Sequence, residues 1–312
     1  MLSRHARRAL GSLVVFLGVQ FVASTAAADE AYDVIPDQVY IERDSGPLKA
    51  DLYVPHGDGP FPAMIVVHGG AWASGTKAQL AGIAIGLAKH GYTVAAISYR
   101  LAPQDPFPAQ VYDCQAAVRW LRTNAEKYKV DTDRIGGYGY SAGGHLVALL
   151  GAMDDDDFRE PGLAADAPSA RLQVVVAGGA PCDFRMLPAD SERLAFWLGG
   201  TPAQKPEAYE QASPVKFVTS DDPPMFFFHG AVDDIVPIRS PKRMVERLKE
   251  AKVPVEFYEI PEAGHMGAVV DRSSMHEALA FVERHLKAKS LARGGGDHRA
   301  PARAESESVH GQ

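Results

Sequence analysis

Short apolar runs alternate along this chain with longer segments that have the periodicity of amphipathic helices. The apolar runs that predict strands lie at 38–41, 49–54, 63–67, 93–98, 134–138, 172–177, 225–228 and 255–260. The segments that predict helices lie at 77–89, 108–129, 144–150, 240–251 and 274–287. The first two strands follow each other directly and look antiparallel, whereas most later strands are separated by helices. This order predicts an α/β fold with a mostly parallel, eight-stranded sheet and helices on both faces.

A serine stands at the corner between the strand at 134–138 and the helix that follows it. The local sequence is Gly139-Tyr140-Ser141-Ala142-Gly143. Glycines two positions before and after the serine let the backbone turn sharply and leave the hydroxyl exposed at the corner. The pentapeptide alone is a weak signal in a glycine-rich chain, but its place between a strand and a helix predicts a nucleophile elbow. Ser141 is therefore the candidate nucleophile.

A second glycine-rich turn, His68-Gly69-Gly70-Ala71-Trp72, follows the strand at 63–67. Acyl transfer needs backbone N–H groups at the place where the oxyanion forms, and such a turn can present them without obstruction by side chains. We expect one donor from Gly70 or Ala71 and another from Ala142. The alternative is an ordinary turn at the end of a strand. His68 is interpreted as a structural brace of the loop rather than as a base.

A serine nucleophile needs a histidine base and a carboxylate that orients it, and both follow later in the chain. The strand at 225–228 leads to Asp233 and Asp234, and the strand at 255–260 leads to Gly264-His265. Loops at the carboxyl ends of strands are where open α/β sheets carry working residues. His265 is the candidate base, and either aspartate could orient it.

Taken together, these motifs resemble the α/β-hydrolase superfamily, and within it the bacterial serine esterases that include acetyl xylan esterases, feruloyl esterases and related carboxylesterases and lipases. The resemblance covers about residues 48–288. It rests on the motifs His68 to Trp72, Ser98 to Pro103, Phe107-Pro108-Ala109, Asp113 to Trp120, Gly139 to His145, His229 to Pro237 and Gly264-His265.

The resemblance implies the α/β-hydrolase fold and hydrolysis of short-chain acyl esters, such as acetyl or feruloyl groups on carbohydrate, without a metal or an organic cofactor. The family pattern puts the catalytic acid three residues after Gly230, which is Asp233. The next position departs from many relatives because it holds a second aspartate, Asp234.

An insertion at 183–217 separates two predicted sheet strands and carries aromatic residues among polar ones. In this superfamily such a segment forms a short lid over the nucleophile, and its aromatic residues would line the substrate pocket. Trp72 and Trp197 are therefore candidate substrate contacts. The alternative is a packed helical excursion without substrate contact.

The two ends of the chain differ in composition from its centre. Residues 1–28 combine three arginines, an apolar run and Ala26-Ala27-Ala28, which predicts a secretory signal peptide and a secreted or periplasmic protein. An uncleaved anchor is the alternative. Residues 29–289 form the predicted catalytic domain, and residues 290–312 have the composition of a disordered tail.

The charge of the chain bears on which partners it can bind. The formal net charge is −7 and no basic stripe is visible, which argues against nucleic-acid binding. We expect an ester of a small molecule or carbohydrate as the partner, and no stable membrane association after removal of the signal.

Cys114 and Cys182 could pair in an oxidising compartment, but two cysteines do not make a disulfide framework, and buried free thiols are the expected state.

Three other functions are compatible with the same motifs. An amide-cleaving hydrolase, namely a formamidase or a serine exopeptidase, would use the same triad, and so would a lipase. A non-catalytic binding protein on this fold would be expected to have lost a triad member, and all three members are present here.

Overall fold

A computed structural model of the protein describes residues 31–287. The predicted signal peptide and the predicted tail from residue 290 lie outside these residues. Within 31–287, no helix is both long enough and apolar enough to span a bilayer.

The centre of the fold is an eight-stranded sheet in the order β1-β2-β4-β3-β5-β6-β7-β8. Its strands are β1 (Tyr32–Ile41), β2 (Leu48–Pro55), β3 (Phe61–Val67), β4 (Thr93–Ile97), β5 (Val130–Tyr140), β6 (Val175–Gly178), β7 (Met225–Gly230) and β8 (Val255–Ile260). β2 is antiparallel to both β1 and β4, and the neighbours from β4 to β8 are parallel. The predicted mostly parallel sheet of an α/β fold is confirmed.

The helices are α1 (Ala81–Lys89), α2 (Ala109–Thr123), α3 (Ala142–Ala152), α4 (Ala195–Leu198), α5 (Pro206–Gln211), α6 (Arg239–Glu250), α7 (His265–Ala268) and α8 (Arg272–Val282). A 3₁₀ turn, Lys77–Leu80, precedes α1, and a π-helical turn, Glu283–Lys287, follows α8. α2 ends at Thr123, earlier than predicted, and both the backbone N–H and the side-chain amide of the following Asn124 donate to the carbonyl of Trp120.

Apolar side chains cover both faces of the sheet, as the patterning of β3 illustrates. Ala63, Ile65 and Val67 belong to the core beneath α2, α3 and α6, whereas Met64 and Val66 belong to the core beneath α1 and α8. A parallel strand buried on both faces reads as a continuous apolar run, which is how its sequence reads.

Cys114 and Cys182 are free, buried thiols. Burial raises the pKa of both thiols, so they remain protonated and unreactive.

The parallel strands bring their carboxyl ends to one edge of the sheet. The loops after β3, β5, β7 and β8 therefore meet there, and they carry the residues that the sequence singles out.

Candidate active site

The turn between β5 and α3 places Ser141 in a backbone conformation that side-chain-bearing residues rarely adopt, with φ 55° and ψ −118°. A Cβ atom on Gly139 would lie 2.2 Å from the carbonyl oxygen of Gly143, and one on Gly143 would lie 2.0 Å from that of Val67. Only glycine fits at both positions. The Ser141 N–H donates to the carbonyl of Gly178 at 2.8 Å. The turn is the predicted elbow.

His265 links Ser141 to Asp233. Its Nε2 lies 2.9 Å from the Ser141 Oγ, and its Nδ1 lies 2.6 Å from the Oδ2 of Asp233. Because an ionised carboxylate only accepts, Nδ1 carries the proton and Nε2 is free to take the proton of the serine hydroxyl. The three side chains come from three different strand ends, as the sequence predicts.

The geometry distinguishes Asp233 from Asp234. The Oδ1 of Asp233 accepts from the N–H groups of Ile235 at 2.9 Å and Val236 at 2.8 Å, while Oδ2 faces His265. Burial would raise the pKa of Asp233, but hydrogen bonds from His229, His265 and Val236 outweigh it and hold this pKa well below its ordinary value. Asp234 is exposed. The carboxylate that faces His265 is that of Asp233.

Two residues to which the sequence analysis assigned no role support the hydrogen-bonded series of Ser141, His265 and Asp233. The Nε2 of His229 lies 2.8 Å from the carbonyl of Val236 and 3.2 Å from the Oδ2 of Asp233. The Tyr140 hydroxyl donates to the backbone carbonyl of His265. The spacing of His229, four residues before Asp233, could have predicted the contact between these two side chains. Nothing in the sequence predicts the hydrogen bond between Tyr140 and His265.

The glycine-rich loop after β3 lies against the elbow. A Cβ atom on Gly69 would lie 3.0 Å from the carbonyl oxygen of Tyr140. Ala71 and Ala142 line the same pocket as Ser141, whereas Gly70 is not among its lining residues. In the described chain, neither the Ala71 N–H nor the Ala142 N–H is hydrogen-bonded. Of the two candidates for the one donor expected from this loop, Ala71 is thus the better placed.

His68 braces this loop, as expected. Its ring is buried and stacks on Tyr99, with centroids 4.1 Å apart and planes 10° apart. Its Nδ1–H donates to the carbonyl of Gly69 at 2.7 Å, and the Tyr99 hydroxyl donates to the backbone carbonyl of His68 at 3.1 Å. Burial lowers the pKa of His68, so the ring is neutral at neutral pH.

The two tryptophans proposed as substrate contacts occupy different environments. Trp72 lines the pocket, whereas Trp197 is completely buried and is absent from its lining. The Trp197 ring stacks on the Trp72 ring with centroids 3.8 Å apart and planes 3° apart, and its Nε1–H donates to Gln110 at 3.0 Å. Trp197 therefore supports the Trp72 ring and does not line the pocket, because its own ring is stacked and completely buried.

A pocket of about 290 Å³ opens at Ser141. The insertion supplies much of its wall through Phe184, Met186, Leu187, Leu194 and Phe196, and the segment after Asp233 adds Ile235, Val236 and Pro237. This part of the insertion lines the pocket, and its role as a lid over the nucleophile stays a prediction.

Charged side chains stand at one side of this pocket. Asp183 is buried and forms ion pairs with Arg185 at 2.8 Å and Arg243 at 3.4 Å, so its charge is compensated. Arg193 and Arg239 also line the pocket and are exposed. The pocket therefore carries positive charge although the chain as a whole is acidic.

Comparison with known proteins gives a family assignment. The family model BD-FAE matches residues 50–248, which is more than half of the chain. The chain belongs to the BD-FAE family. The match includes Ser141 and Asp233 and ends before His265.

Individual relatives of this BD-FAE chain are esterases by name. It is 34% identical over 215 residues to Esterase LipC of Mycobacterium tuberculosis, covering 66% of this chain and 53% of LipC. The chain thus spans about half the length of that relative.

Among solved structures, a truncated carbohydrate esterase from gut microbiota aligns with a TM-score of 0.73 and 25% identity over 83% of this chain and 99% of that one. A propionate-bound esterase of Thermogutta terrifontis aligns with a TM-score of 0.67 and 27% identity over 85% of this chain and 95% of that one. With the sheet topology above, these neighbours show the α/β-hydrolase fold.

Proposed function

We propose that this protein is a serine carboxylesterase that hydrolyses short-chain acyl esters, with acetyl or feruloyl esters of carbohydrate as its substrate class. The observation that carries the proposal is the hydrogen-bonded series Ser141–His265–Asp233, which ends in a pocket also lined by Ala71 and Ala142. A nucleophile, a base, an orienting carboxylate and oxyanion donors are the parts that acyl transfer needs.

In the acylation step, the Ser141 Oγ attacks the ester carbonyl while the Nε2 of His265 takes the hydroxyl proton. The carbonyl oxygen becomes an oxyanion and accepts from the N–H groups of Ala142 and Ala71. Ala142 is the first residue of α3, so the positive end of the helix dipole also faces the developing charge. A single oxyanion donor contributes about 3 kcal/mol in the transition state. His265 then protonates the leaving alcohol, and an acyl-serine remains.

In the deacylation step, water takes the place of the alcohol. His265 removes a proton from it, the resulting hydroxide attacks the acyl-serine, and the second tetrahedral intermediate collapses to the acid and free Ser141. Asp233 keeps its negative charge throughout and stabilises the imidazolium that forms twice in each cycle.

The size and composition of the pocket support small acyl groups. Its volume of about 290 Å³ is at the lower end of the range for ligand sites, and its walls are mainly apolar. The similarity to a carbohydrate esterase and to an esterase seen with propionate agrees with this substrate class.

We also propose that the enzyme acts outside the cytoplasm. The support is the order of arginines, apolar run and Ala26-Ala27-Ala28 near the start of the sequence. Expression of the full chain in a bacterial host, followed by fractionation and N-terminal sequencing, tests this directly. A mature protein that starts at Asp29 in the periplasm or medium is expected, and an uncleaved cytoplasmic protein would contradict the proposal.

The activity is tested with p-nitrophenyl esters from acetate to palmitate and with acetylated xylan, with Ser141→Ala as the matched inactive control. We expect kcat/KM to be highest for the short esters, and acetate to be released from xylan. A rate that rises toward palmitate, without acetate release, would indicate a lipase. No ester turnover by wild-type protein, together with turnover of an N-formyl amide, would indicate an amide hydrolase, and turnover of neither would indicate a binding protein.

A further inference from the structure

The loop that would supply the Ala71 donor is backbone-strained. Ala71 has a φ of 52° and Trp72 a φ of 58°, and neither residue is a glycine. Such conformations cost free energy and persist where surrounding contacts hold them in place. The contacts around Trp72 therefore determine where the Ala71 N–H points.

The Trp72 indole contacts three side chains, those of His145, Trp197 and Phe184, and the Phe184 ring meets it edge-on with centroids 5.8 Å apart. Its Nε1–H donates to the Nδ1 of His145 at 3.2 Å, and its ring lies flat against that of Trp197 at 3.8 Å. On the backbone, the Trp72 carbonyl accepts from the N–H of Ala102 at 2.9 Å. The indole is thus fixed both at its edge and on its face.

His145 is itself fixed from the other side. It is completely buried, and its Nε2 lies 2.7 Å from the carbonyl of Ala212. Since Nδ1 accepts from Trp72, the proton is on Nε2 and donates to Ala212, which defines a neutral tautomer. Burial lowers the pKa of His145 to about 4, in agreement with that state.

The outer partners of this assembly belong to the insertion. Trp197 lies in α4, and Ala212 directly follows α5. The insertion therefore reaches the loop after β3 in three ways. Trp197 stacks on Trp72, the Phe184 ring meets the Trp72 ring edge-on, and the Ala212 carbonyl accepts from His145, which in turn bonds to Trp72.

We infer that the insertion at 183–217 positions the oxyanion hole, with Trp197 and His145 as positioning residues that act through Trp72. The inference rests on the proposed function and adds a second role to the insertion, which otherwise forms the pocket wall. An oxyanion donor acts mainly in the transition state, so a displaced Ala71 N–H lowers kcat by a similar factor for every ester and changes KM little.

Trp197 is tested against its two neighbours in α4. Trp197→Leu removes the stacking partner, Phe196→Leu changes a side chain that lines the pocket, and Leu198→Ala removes a buried side chain of the same helix that does not line it. We expect Trp197→Leu to lower kcat at least about 10-fold, equally for p-nitrophenyl acetate and butyrate. We expect Phe196→Leu to alter KM unequally for the two esters, and Leu198→Ala to lower the melting temperature while kcat is retained.

His145 allows a conservative rescue. The amide of Gln can accept from Trp72 and donate to Ala212, whereas Leu can do neither. We expect His145→Gln to retain kcat within about 3-fold and His145→Leu to lose as much as Trp197→Leu, in proteins shown to be folded by circular dichroism.

If Trp197→Leu or His145→Leu does not fold, Trp72→Phe tests the same contact, because it keeps the stacked ring and loses the N–H to His145. If the wild-type protein is active and the folded variants keep its kcat, or change only in KM, the inference is overturned and the proposed function stands. An inactive wild type would instead refute the proposed function. A kcat loss in Leu198→Ala as large as that in Trp197→Leu would also overturn the inference about positioning, because any damage to the insertion would then have the same effect.

Discussion

The Nε2 of His229 lies 3.2 Å from the same oxygen of Asp233 that faces the Nδ1 of His265 at 2.6 Å. Both rings are buried, and the other oxygen of the carboxylate accepts from two backbone N–H groups. The Asp233 carboxylate therefore accepts from Ile235, Val236 and His265 and lies beside the His229 ring, so its position and its charge are both fixed before any substrate binds.

This saturation predicts a large difference between two neighbouring substitutions. Asp233→Asn places an amide NH₂ or a weaker acceptor against His265 and favours the wrong tautomer, an effect worth up to about 10⁴-fold in kcat in serine proteases. Asp234→Asn changes an exposed side chain and is expected to alter kcat less than about 2-fold. Hydrolysis of p-nitrophenyl acetate measures both, and equal losses or the reverse order would assign the acid to Asp234.

The strain at Ser141 predicts a stability order among inactive variants. Ser141→Ala should abolish hydrolysis and labelling by a fluorophosphonate, yet keep the strained φ of 55°. Ser141→Gly relieves this strain, which stabilises the native state by about 1–3 kcal/mol. The greater conformational entropy of glycine in the unfolded chain offsets part of that gain, by about 0.5–1 kcal/mol. We expect Ser141→Gly to unfold in urea with a free energy about 1 kcal/mol higher than that of Ser141→Ala. Identical unfolding curves would show that the elbow stores no strain.

The buried His145 predicts a stability change in weak acid. Burial lowers its pKa from 6.5 in the unfolded chain to about 4 in the native protein. Between these values the unfolded chain binds a proton that the native protein does not, so stability falls as pH drops from about 6.5 to about 4, by about 3 kcal/mol in all.

Asp222 changes stability with pH in the opposite direction, so its contribution must be separated from that of His145. Burial raises its pKa from 3.8 to about 6, so its contribution to stability is complete below about pH 4 and is lost as pH rises through about 6. Wild type and His145→Gln share Asp222, and the difference in their unfolding free energies therefore isolates His145. We expect that difference to shrink from pH 6.5 to pH 4, and a difference that stays constant would contradict the assignment of a neutral buried ring.

The positive side of the pocket predicts a preference for anionic esters. Arg239→Gln should lower kcat/KM for a p-nitrophenyl ester of succinate about 5-fold and leave the butyrate ester nearly unchanged, because an exposed charge pair contributes about 1 kcal/mol at low ionic strength. Lys242→Gln makes the same charge change on α6 but removes a partner of Glu259, and serves as the matched control. The difference should disappear in about 1 M salt. Equal losses for both esters would show that Arg239 acts on the pocket walls and not on substrate charge.

The sequence predicted the parts of the site that depend on local chemistry. The elbow follows from Gly139 and Gly143, because no larger residue fits there, and the central strands β3, β4, β6 and β7 follow from apolar runs that are buried by the sheet. Chain order alone could not separate Asp233 from Asp234, because N–H donors of the next two residues and the ring of His229 fix which carboxylate points inward.

Other features depend on tertiary contacts that leave no periodic signal. The four-residue helix α7 is too short to show one. An aromatic residue in an irregular insertion carries no indication of which side it presents, which is why Trp197 was expected in the pocket and lies beneath it. The choice between Gly70 and Ala71 depends on backbone dihedral angles that the composition of the loop leaves open.

The contacts of the insertion with Trp72 and His145 limit how its sequence can vary. A segment grafted from a relative, without a flat ring at position 197 or with a backbone that moves the carbonyl of residue 212 away from His145, would change selectivity and turnover together instead of exchanging one specificity for another. Within the insertion, substitutions at pocket-facing positions such as Met186, Leu187 and Phe196 are therefore expected to change substrate range alone, whereas a substitution of Trp197 is expected to need a compensating change at Trp72.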